Sequence, residues 1–124
     1  NGHVYKTTML AGKHELIADE PKEAGGNEEG PAPGDYLCMA LASCKAITIR
    51  MYAQRKNWEL GEIKVKVNLV KGDQLSPGVH TFFCDIKLDS ALDDEQLKRI
   101  LEISKACPID RLLKKESEVV TVIE

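Results

Sequence analysis

The chain lacks three features that would assign it to a broad class: an excess of basic charge, a long apolar run and a secretion signal. Its 124 residues include 17 basic and 20 acidic side chains, which gives a formal net charge of −3. Nucleic-acid surfaces usually concentrate positive charge, so we expect no nucleic-acid partner. No stretch approaches the ~20 consecutive apolar residues that span a membrane, and the first residues carry no apolar signal core. We therefore expect a cytoplasmic protein that does not associate with membranes.

Common metal and cofactor motifs are also missing from the sequence. No CxxC or HxxxH spacing occurs, and His3, His14 and His80 are scattered along the chain, so we expect no metal site. The glycines lack the lysine pattern of a phosphate-binding loop, and no serine occupies a GxSxG elbow. We expect no cofactor. Four cysteines without a secretory signal are typical of intracellular thiols and not of a disulfide framework.

The residues that are present predict one domain over 1–124. Alternating or β-branched segments predict strands, apolar residues at helical spacing predict helices, and the Pro-, Gly- and acid-rich segment before the first helix predicts a loop. The predicted order is strands at 3–10 and 14–19, a loop at 20–33, a helix at 34–56, strands at 60–71 and 79–89, helices at 92–106 and 109–115, and a strand at 118–123, with turns at 12–13 and 72–78. Because helices are interleaved with hairpins, without strict β–α alternation, the order indicates an α+β fold.

The first predicted helix combines an apolar stripe with many small residues. Pro33 suits its first turn, where a missing N–H costs nothing, and Asn57 or Gly61 is expected to end it. Small residues around its middle allow another helix to approach closely, and its last part, from Arg50 onward, is expected to be solvated. The predicted stripe consists of Leu37, Leu41, Cys44, Thr48 and Met51.

Cys44, near the middle of this helix, has two interpretations. A free cysteine is commonly a small buried core residue. The small neighbours that leave room around the thiol, together with the Thr48 hydroxyl one turn further on, favour a reactive thiol instead. Cys38 and Cys84 share no such setting, and we interpret both as structural.

Cys107 lies where the second long helix is expected to break. Pro108 cannot donate within a continuing helix, so a new helix begins there and its free N–H groups are expected to stabilise a thiolate at Cys107. Arg111, one turn on, adds positive charge; the other interpretation is a buried cysteine at a kink. The predicted buried stripe of the second helix, which Cys107 continues, consists of Leu97, Ile100, Leu101 and Ser104.

Two motifs resemble those of the OsmC/Ohr family, the osmotically induced and organic-hydroperoxide-resistance proteins. GPAPGDYLCMALASCKAIT resembles the family's proline-led, small-residue-rich helix that carries a cysteine, and SKACPIDRLL resembles its second, Cys-Pro motif. The order and separation of the motifs agree over essentially the whole chain. The resemblance implies an OsmC-like α+β fold in which antiparallel sheets wrap around two long central helices and two chains intertwine as a homodimer.

The same resemblance implies thiol-dependent peroxidase activity toward organic hydroperoxides, with active sites at the dimer interface. By the match of motifs, Cys44 is the thiol oxidised to sulfenic acid, and Cys107 is the thiol that condenses with it to a disulfide. A dithiol such as a lipoyl group or a thioredoxin-like protein is then the expected reductant.

The sequence departs from the family pattern where the thiolate is activated. Active family members use an early arginine and a glutamate directly after the motif proline, whereas here the first arginine is Arg50 and Gly34 follows the proline. Such a change predicts a less acidic thiol and keeps open a second function, a non-catalytic OsmC-like protein that binds an apolar small molecule or senses oxidants. The candidates for an activating or pocket role are Lys13, Glu29, Asp35, Thr48 and Arg111.

Overall fold

The chain has the predicted α+β fold. The structure, a computed structural model, describes residues 4–70 and 78–124, and it combines three helices with antiparallel sheets. The strands are Thr7–Ala11 (β1), His14–Ala18 (β2), Ile63–Val70 (β3) and Thr81–Leu88 (β4), and the helices are Pro33–Lys56 (α1), Asp94–Ser104 (α2) and Pro108–Leu113 (α3). A single 3₁₀ turn, Lys22–Ala24, interrupts the loop before α1.

The four strands form two separate pairs. β1 and β2 are antiparallel, with Ala11 opposite His14, so the predicted turn at 12–13 is confirmed. Gly12 has a φ of +60°, a conformation that glycine adopts without steric cost. β3 pairs with β4, and alternate residues of β3 are half-buried, as the sequence predicts. The predicted turn at 72–78 lies, apart from Gly78, outside the described residues.

Helix α1 begins and ends where the sequence predicts. Pro33 is its first residue, and Asn57, with a φ of +57°, ends it. The predicted buried stripe is wrong in part, however: Leu41 is buried, but Leu37 and Met51 are exposed. The expectation of a solvated end is also wrong in part, because two residues beyond Arg50 are buried. The residues of α1 that are buried are Leu41, Lys45, Ile49, Tyr52 and Ala53.

Helix α2 is fixed at its start by a capping box. The Asp93 side chain accepts a hydrogen bond from the Gln96 backbone N–H, and the Gln96 side chain accepts one from the Asp93 N–H, which satisfies two otherwise free donors. Only half of its predicted stripe is correct: Ile100 and Ser104 are buried, whereas Leu97 and Leu101 are exposed. The principal apolar cluster joins Ile49, Ala53, Leu60 and Ile100.

The predicted C-terminal strand is wrong. Residues 116–124 have no regular secondary structure. Val119, Val120 and Ile123 are largely exposed, because a β-branched segment becomes a strand only where another strand pairs with it.

The described residues group into two compact units. One takes the described parts of Asn1–Ala40 and Asn68–Phe83, and the other takes Leu41–Val67 and Cys84–Glu124. Helix α1 and strands β3 and β4 each contribute to both units. Cys44 and Cys107 belong to the second unit, which is therefore the one that contains the candidate site.

Candidate thiol site

The structure brings two cysteines from different helices into contact. Cys44 is half-buried in the middle of α1, and Cys107 is fully buried immediately before α3. The two side chains are close enough to share a thiol–thiol hydrogen bond. Among the four cysteines, the pair that the motifs single out is thus in direct contact, with no disulfide between them.

The local sequence explains how Cys107 reaches this position. α2 ends at Ser104, and Pro108 starts α3, so Cys107 takes the extended N-cap conformation between the two helices (φ −62°, ψ 137°). Its Sγ accepts a hydrogen bond from the backbone N–H of Asp110 at 3.3 Å. The predicted helix break at Pro108 is confirmed. Because of this break, Cys107, the last residue of the predicted stripe, lies against α1.

The pKa of Cys107 lies above its ordinary value. Burial is the largest cause, and the hydrogen bond with Cys44 acts in the same direction, because Cys107 donates that bond only while it is protonated. The backbone N–H groups of Asp110 and Ile109 lower the pKa but do not outweigh burial. The prediction that the start of α3 holds Cys107 as a thiolate is therefore wrong in its net direction, although the N–H contacts themselves are present.

A buried ion pair beside the thiols was missed from the sequence. Lys45 Nζ lies 2.5 Å from Asp110 Oδ2 and donates a hydrogen bond of 2.8 Å to the backbone carbonyl of Ser104. Only 5% of the Lys45 side chain and 11% of the Asp110 side chain are exposed. The sequence shows only that Lys45 lies midway between Leu41 and Ile49 at a spacing of four and so shares their face of the helix.

The carboxylate of Asp110 is held in its charged form. Burial alone would raise its pKa, but the hydrogen bonds and positive charges of Lys114 and Lys45 outweigh burial, so the pKa lies below its usual range. Lys114, an exposed residue of the same helical segment, contributes an ion pair of 2.6 Å to Oδ1. Asp110 therefore links α3 to α1 through its buried contact with Lys45. Its second partner, Lys114, lies at the solvent-exposed surface.

An open groove lies next to the thiol pair. Its volume is about 700 Å³, and Thr48, one turn after Cys44, lines it. Ala106 and Pro108, the two neighbours of Cys107, line it as well, together with Met51 and Ile103. The groove is therefore mainly apolar where it meets the cysteines, and Thr48 is the one of the predicted pocket residues that lies there.

The other predicted residues have different surroundings. Arg111 belongs to α3 but is exposed. Lys13, Glu29 and Asp35 belong to the other compact unit. There Lys13 is exposed in the hairpin turn, Glu29 pairs with Lys6 at 3.4 Å, and the Asp35 carboxylate accepts the backbone N–H of Ala32 at 3.0 Å.

Within residues 4–70 and 78–124, no three His, Cys, Asp or Glu side chains lie together so that they could hold a metal ion. None of the helices in this part of the chain is both long and apolar enough to cross a bilayer.

Several solved structures of known proteins have a fold similar to that of this chain. The OsmC-like protein of Mycoplasma pneumoniae is 19% identical, with a TM-score of 0.71 over 88% of this chain and 79% of that one. The organic hydroperoxide resistance protein OhrB of Bacillus subtilis is 18% identical, with a TM-score of 0.59 over 88% of each chain. A Vibrio cholerae protein named for organic hydroperoxide resistance is 21% identical, with a TM-score of 0.61 over 90% and 85%. At these identities the likeness shows the fold alone.

Sequence comparison assigns the family. The chain has no significant match among curated protein sequences. The family model described as OsmC-like protein, in contrast, matches residues 25–122. Since this match spans most of the chain and both cysteine motifs, the chain belongs to the family of OsmC-like proteins.

Proposed function

We propose that the protein is a thiol-dependent peroxidase that reduces organic hydroperoxides. Cys44 is the thiol that attacks the peroxide, and Cys107 is the thiol that closes a disulfide with it. The observation that carries the proposal is the contact between these two side chains, brought together from α1 and the start of α3. The family membership and the hydroperoxide-resistance relatives of the same fold support it.

The proposed reaction has three steps. The Cys44 thiolate attacks the distal peroxide oxygen, the O–O bond breaks, and the alkoxide takes up a proton to leave as the alcohol. Cys44 is then a sulfenic acid. The Cys107 sulfur next attacks the Cys44 sulfur, the S–O bond breaks, and the hydroxide leaves as water with the proton of Cys107. An external dithiol finally reduces the Cys44–Cys107 disulfide by two thiol–disulfide exchanges.

The surroundings of the thiols suit this division of roles. Cys44 is half-buried, so a small peroxide has access to it, whereas Cys107 is fully buried. The raised pKa of Cys107 keeps its proton at neutral pH, so it does not compete with Cys44 as the first nucleophile. The adjoining groove, lined by Met51 and Ile103, offers an apolar surface to the organic part of a hydroperoxide.

We further propose that the protein acts as a homodimer. Several apolar residues of α1 are exposed in the single chain, among them Leu37, Ile47 and Met51. Apolar residues this numerous on one helix are typical of an interface. The exposed apolar residues near the C-terminus are Val119, Val120, Val122 and Ile123.

The groove also supports a second candidate function, the binding of an apolar small molecule without turnover, or the sensing of oxidants. Lys45 is the buried cation nearest in sequence to Cys44, but it is paired with the carboxylate of Asp110. Its positive charge therefore stabilises that carboxylate and not a Cys44 thiolate. This candidate predicts a hydrophobic compound retained through purification and no peroxide consumption.

Peroxide consumption by cysteine variants distinguishes the two candidates. With cumene hydroperoxide and excess dithiothreitol, we expect the wild-type protein to turn over and Cys44→Ser to be inactive. Cys38→Ser is the matched control, because Cys38 is a half-buried thiol on the same helix, and it should retain activity. Equal peroxide consumption by Cys44→Ser and wild type would refute the peroxidase proposal.

A further inference from the structure

The buried ion pair has one partner next to each thiol in the sequence. Lys45 directly follows Cys44 in α1, and Asp110 is the third residue after Cys107, in the first turn of α3. Their charged groups meet at 2.5 Å. This contact spans 65 residues of sequence and ties the α1 segment that carries Cys44 to the short helix that Cys107 caps.

Asp110 contacts both sides of the thiol site at once. Its backbone N–H donates to the Cys107 Sγ at 3.3 Å, while its carboxylate is bound by Lys45. Lys45 also donates to the carbonyl of Ser104 at 2.8 Å, the last residue of α2. One ammonium group therefore anchors the segments on both sides of Cys107 to α1.

Stability alone is a weak reason for such a pair. Replacing a buried ion pair by apolar residues of similar size is often neutral or stabilising, because the desolvation of two charges offsets their attraction. What the pair does supply is a fixed geometry. α3 has only six residues, and none of its apolar side chains is fully buried, so apolar packing holds it weakly and a directional contact is needed to set its position.

We propose that Lys45 and Asp110 are positioning residues for disulfide closure: their contact holds the Cys107 sulfur against Cys44. The proposal rests on the redox roles of the two cysteines given above. When the Cys107 sulfur attacks the Cys44 sulfenic acid, the S–O bond breaks, the hydroxide leaves as water with the Cys107 proton, and the S–S bond forms. The Asp110 N–H stabilises the negative charge on the Cys107 sulfur as its proton departs. The first step, oxidation of Cys44, involves no atom of α3 and is independent of the pair.

Closure can be measured without peroxide. In a Cys38→Ser, Cys84→Ser background, the aromatic disulfide DTNB forms a mixed disulfide with Cys44 and releases one thionitrobenzoate. Cys107 then attacks the Cys44 sulfur and displaces the second thionitrobenzoate, so that one disulfide is exchanged for another and the released thiolate accounts for the electrons. The two releases at 412 nm report the first attack and the closure separately.

The two test variants each remove one of the lysines that pair with the Asp110 carboxylate. Lys45→Met removes the partner of Asp110 on α1, whereas Lys114→Met removes its exposed partner. We expect Lys45→Met to keep the rate of the first release and to slow the second at least ~10-fold, because misplacing reacting atoms costs large factors in rate. Lys114→Met should close within about twofold of the parent, because exposed ion pairs contribute little.

A double variant covers the possibility that Lys45→Met is too unstable. Lys45→Met combined with Asp110→Leu removes both charges and keeps the volume, so the fold is retained while the directional contact is lost. Slow closure in this variant supports positioning. Parent-like closure in the double variant, equal slowing by Lys114→Met, or no second release in the parent would each overturn the proposal. Peroxidase activity is not part of the readout, so failure of the proposed function is seen separately, as absence of a Cys44 sulfenic acid in Cys107→Ser after peroxide treatment.

Discussion

The most direct structural consequence of the buried ion pair is that Asp110→Asn destabilises the fold. The substitution keeps the size of the side chain and an acceptor oxygen, but it removes the negative charge that lies 2.5 Å from Lys45 Nζ. Lys45 is 4% exposed and is left with the carbonyl of Ser104 as its remaining partner. An ammonium group that is buried without a counter-charge is unfavourable, because water no longer solvates it.

The magnitude follows from the burial of both partners. Removing one partner of a buried ion pair typically costs about 3–5 kcal/mol. Asparagine still accepts a hydrogen bond from Lys45, so we expect a loss near the lower end, about 3 kcal/mol. This is a large share of a free energy of unfolding that is roughly 5–15 kcal/mol for most domains. At about 4 °C per kcal/mol, the melting temperature falls by about 12 °C.

Thermal and urea denaturation at pH 7 measure this loss, and Lys114→Met is the control. Lys114 pairs with the same carboxylate at 2.6 Å, but its side chain is 66% exposed, so its loss should cost at most about 1 kcal/mol. If Asp110→Asn unfolded within about 1 kcal/mol of wild type, or no lower than Lys114→Met, the ion pair would not be the buried link between α1 and α3 that we infer.

Four further outcomes follow from the structure. Leu60→Ala should lose about 2–5 kcal/mol in urea denaturation, because Leu60 is fully buried; a loss below 1 kcal/mol would contradict its place in the core. Disulfide closure, followed by stopped-flow fluorescence, should accelerate with pH beyond the ordinary thiol pKa of about 8.5, because Cys107 is a stronger nucleophile once it has lost its proton and its pKa is raised; a plateau below pH 8 would contradict this. The ionised Asp110, whose pKa is lowered by folding, should add fully to the free energy of unfolding above its unfolded-state pKa of about 3.9, and this contribution should be lost as pH falls through the folded-state pKa. Asp110→Asn should lack this acid-dependent loss of stability; the same dependence on pH in the variant and the wild type would refute the prediction. Met51→Glu should convert the proposed dimer to a monomer in sedimentation velocity, because it places a charge on the exposed apolar face of α1; a wild-type protein that is already monomeric would contradict the dimer.

The sequence alone was sufficient for the features that depend on local chemistry. Pro33 and Asn57 mark the two ends of α1, because proline tolerates the first helical turn and asparagine tolerates the left-handed conformation that ends a helix. The alternation in β3 and the turn at Gly12 are equally local. The break before α3 follows from Pro108 and led directly to the position of Cys107.

Features that depend on distant partners could not be predicted in this way. Two faces of α1 have comparable apolar character, and only tertiary packing selects the face that contains Lys45. A lysine on a buried face is acceptable because Asp110 meets it across 65 residues of sequence, a pairing that no local pattern indicates. The β-branched segment after Glu118 likewise lacks a strand beside it in the described chain, and the strand predicted there is absent for that reason.

The contact between Cys44 and Cys107 was expected from the motifs, whereas the charges around it were not. We expected an activating group among Lys13, Glu29, Asp35 or Arg111. The charged groups found near the thiols within the same unit are instead the buried pair Lys45 and Asp110 and Arg55, which lines the adjoining groove.

The central claim is that peroxide converts the contact between Cys44 and Cys107 into a disulfide, and mass spectrometry of tryptic peptides tests it most directly. Trypsin places Cys44 in the peptide 23–45 and Cys107 in the peptide 106–111, but Cys38 shares the first peptide. The measurement therefore uses Cys38→Ser. After one equivalent of cumene hydroperoxide, we expect these two peptides to be joined by a disulfide that dithiothreitol reverses. Recovery of both peptides as free thiols, or linkage of either one to Cys84 instead, would contradict the account.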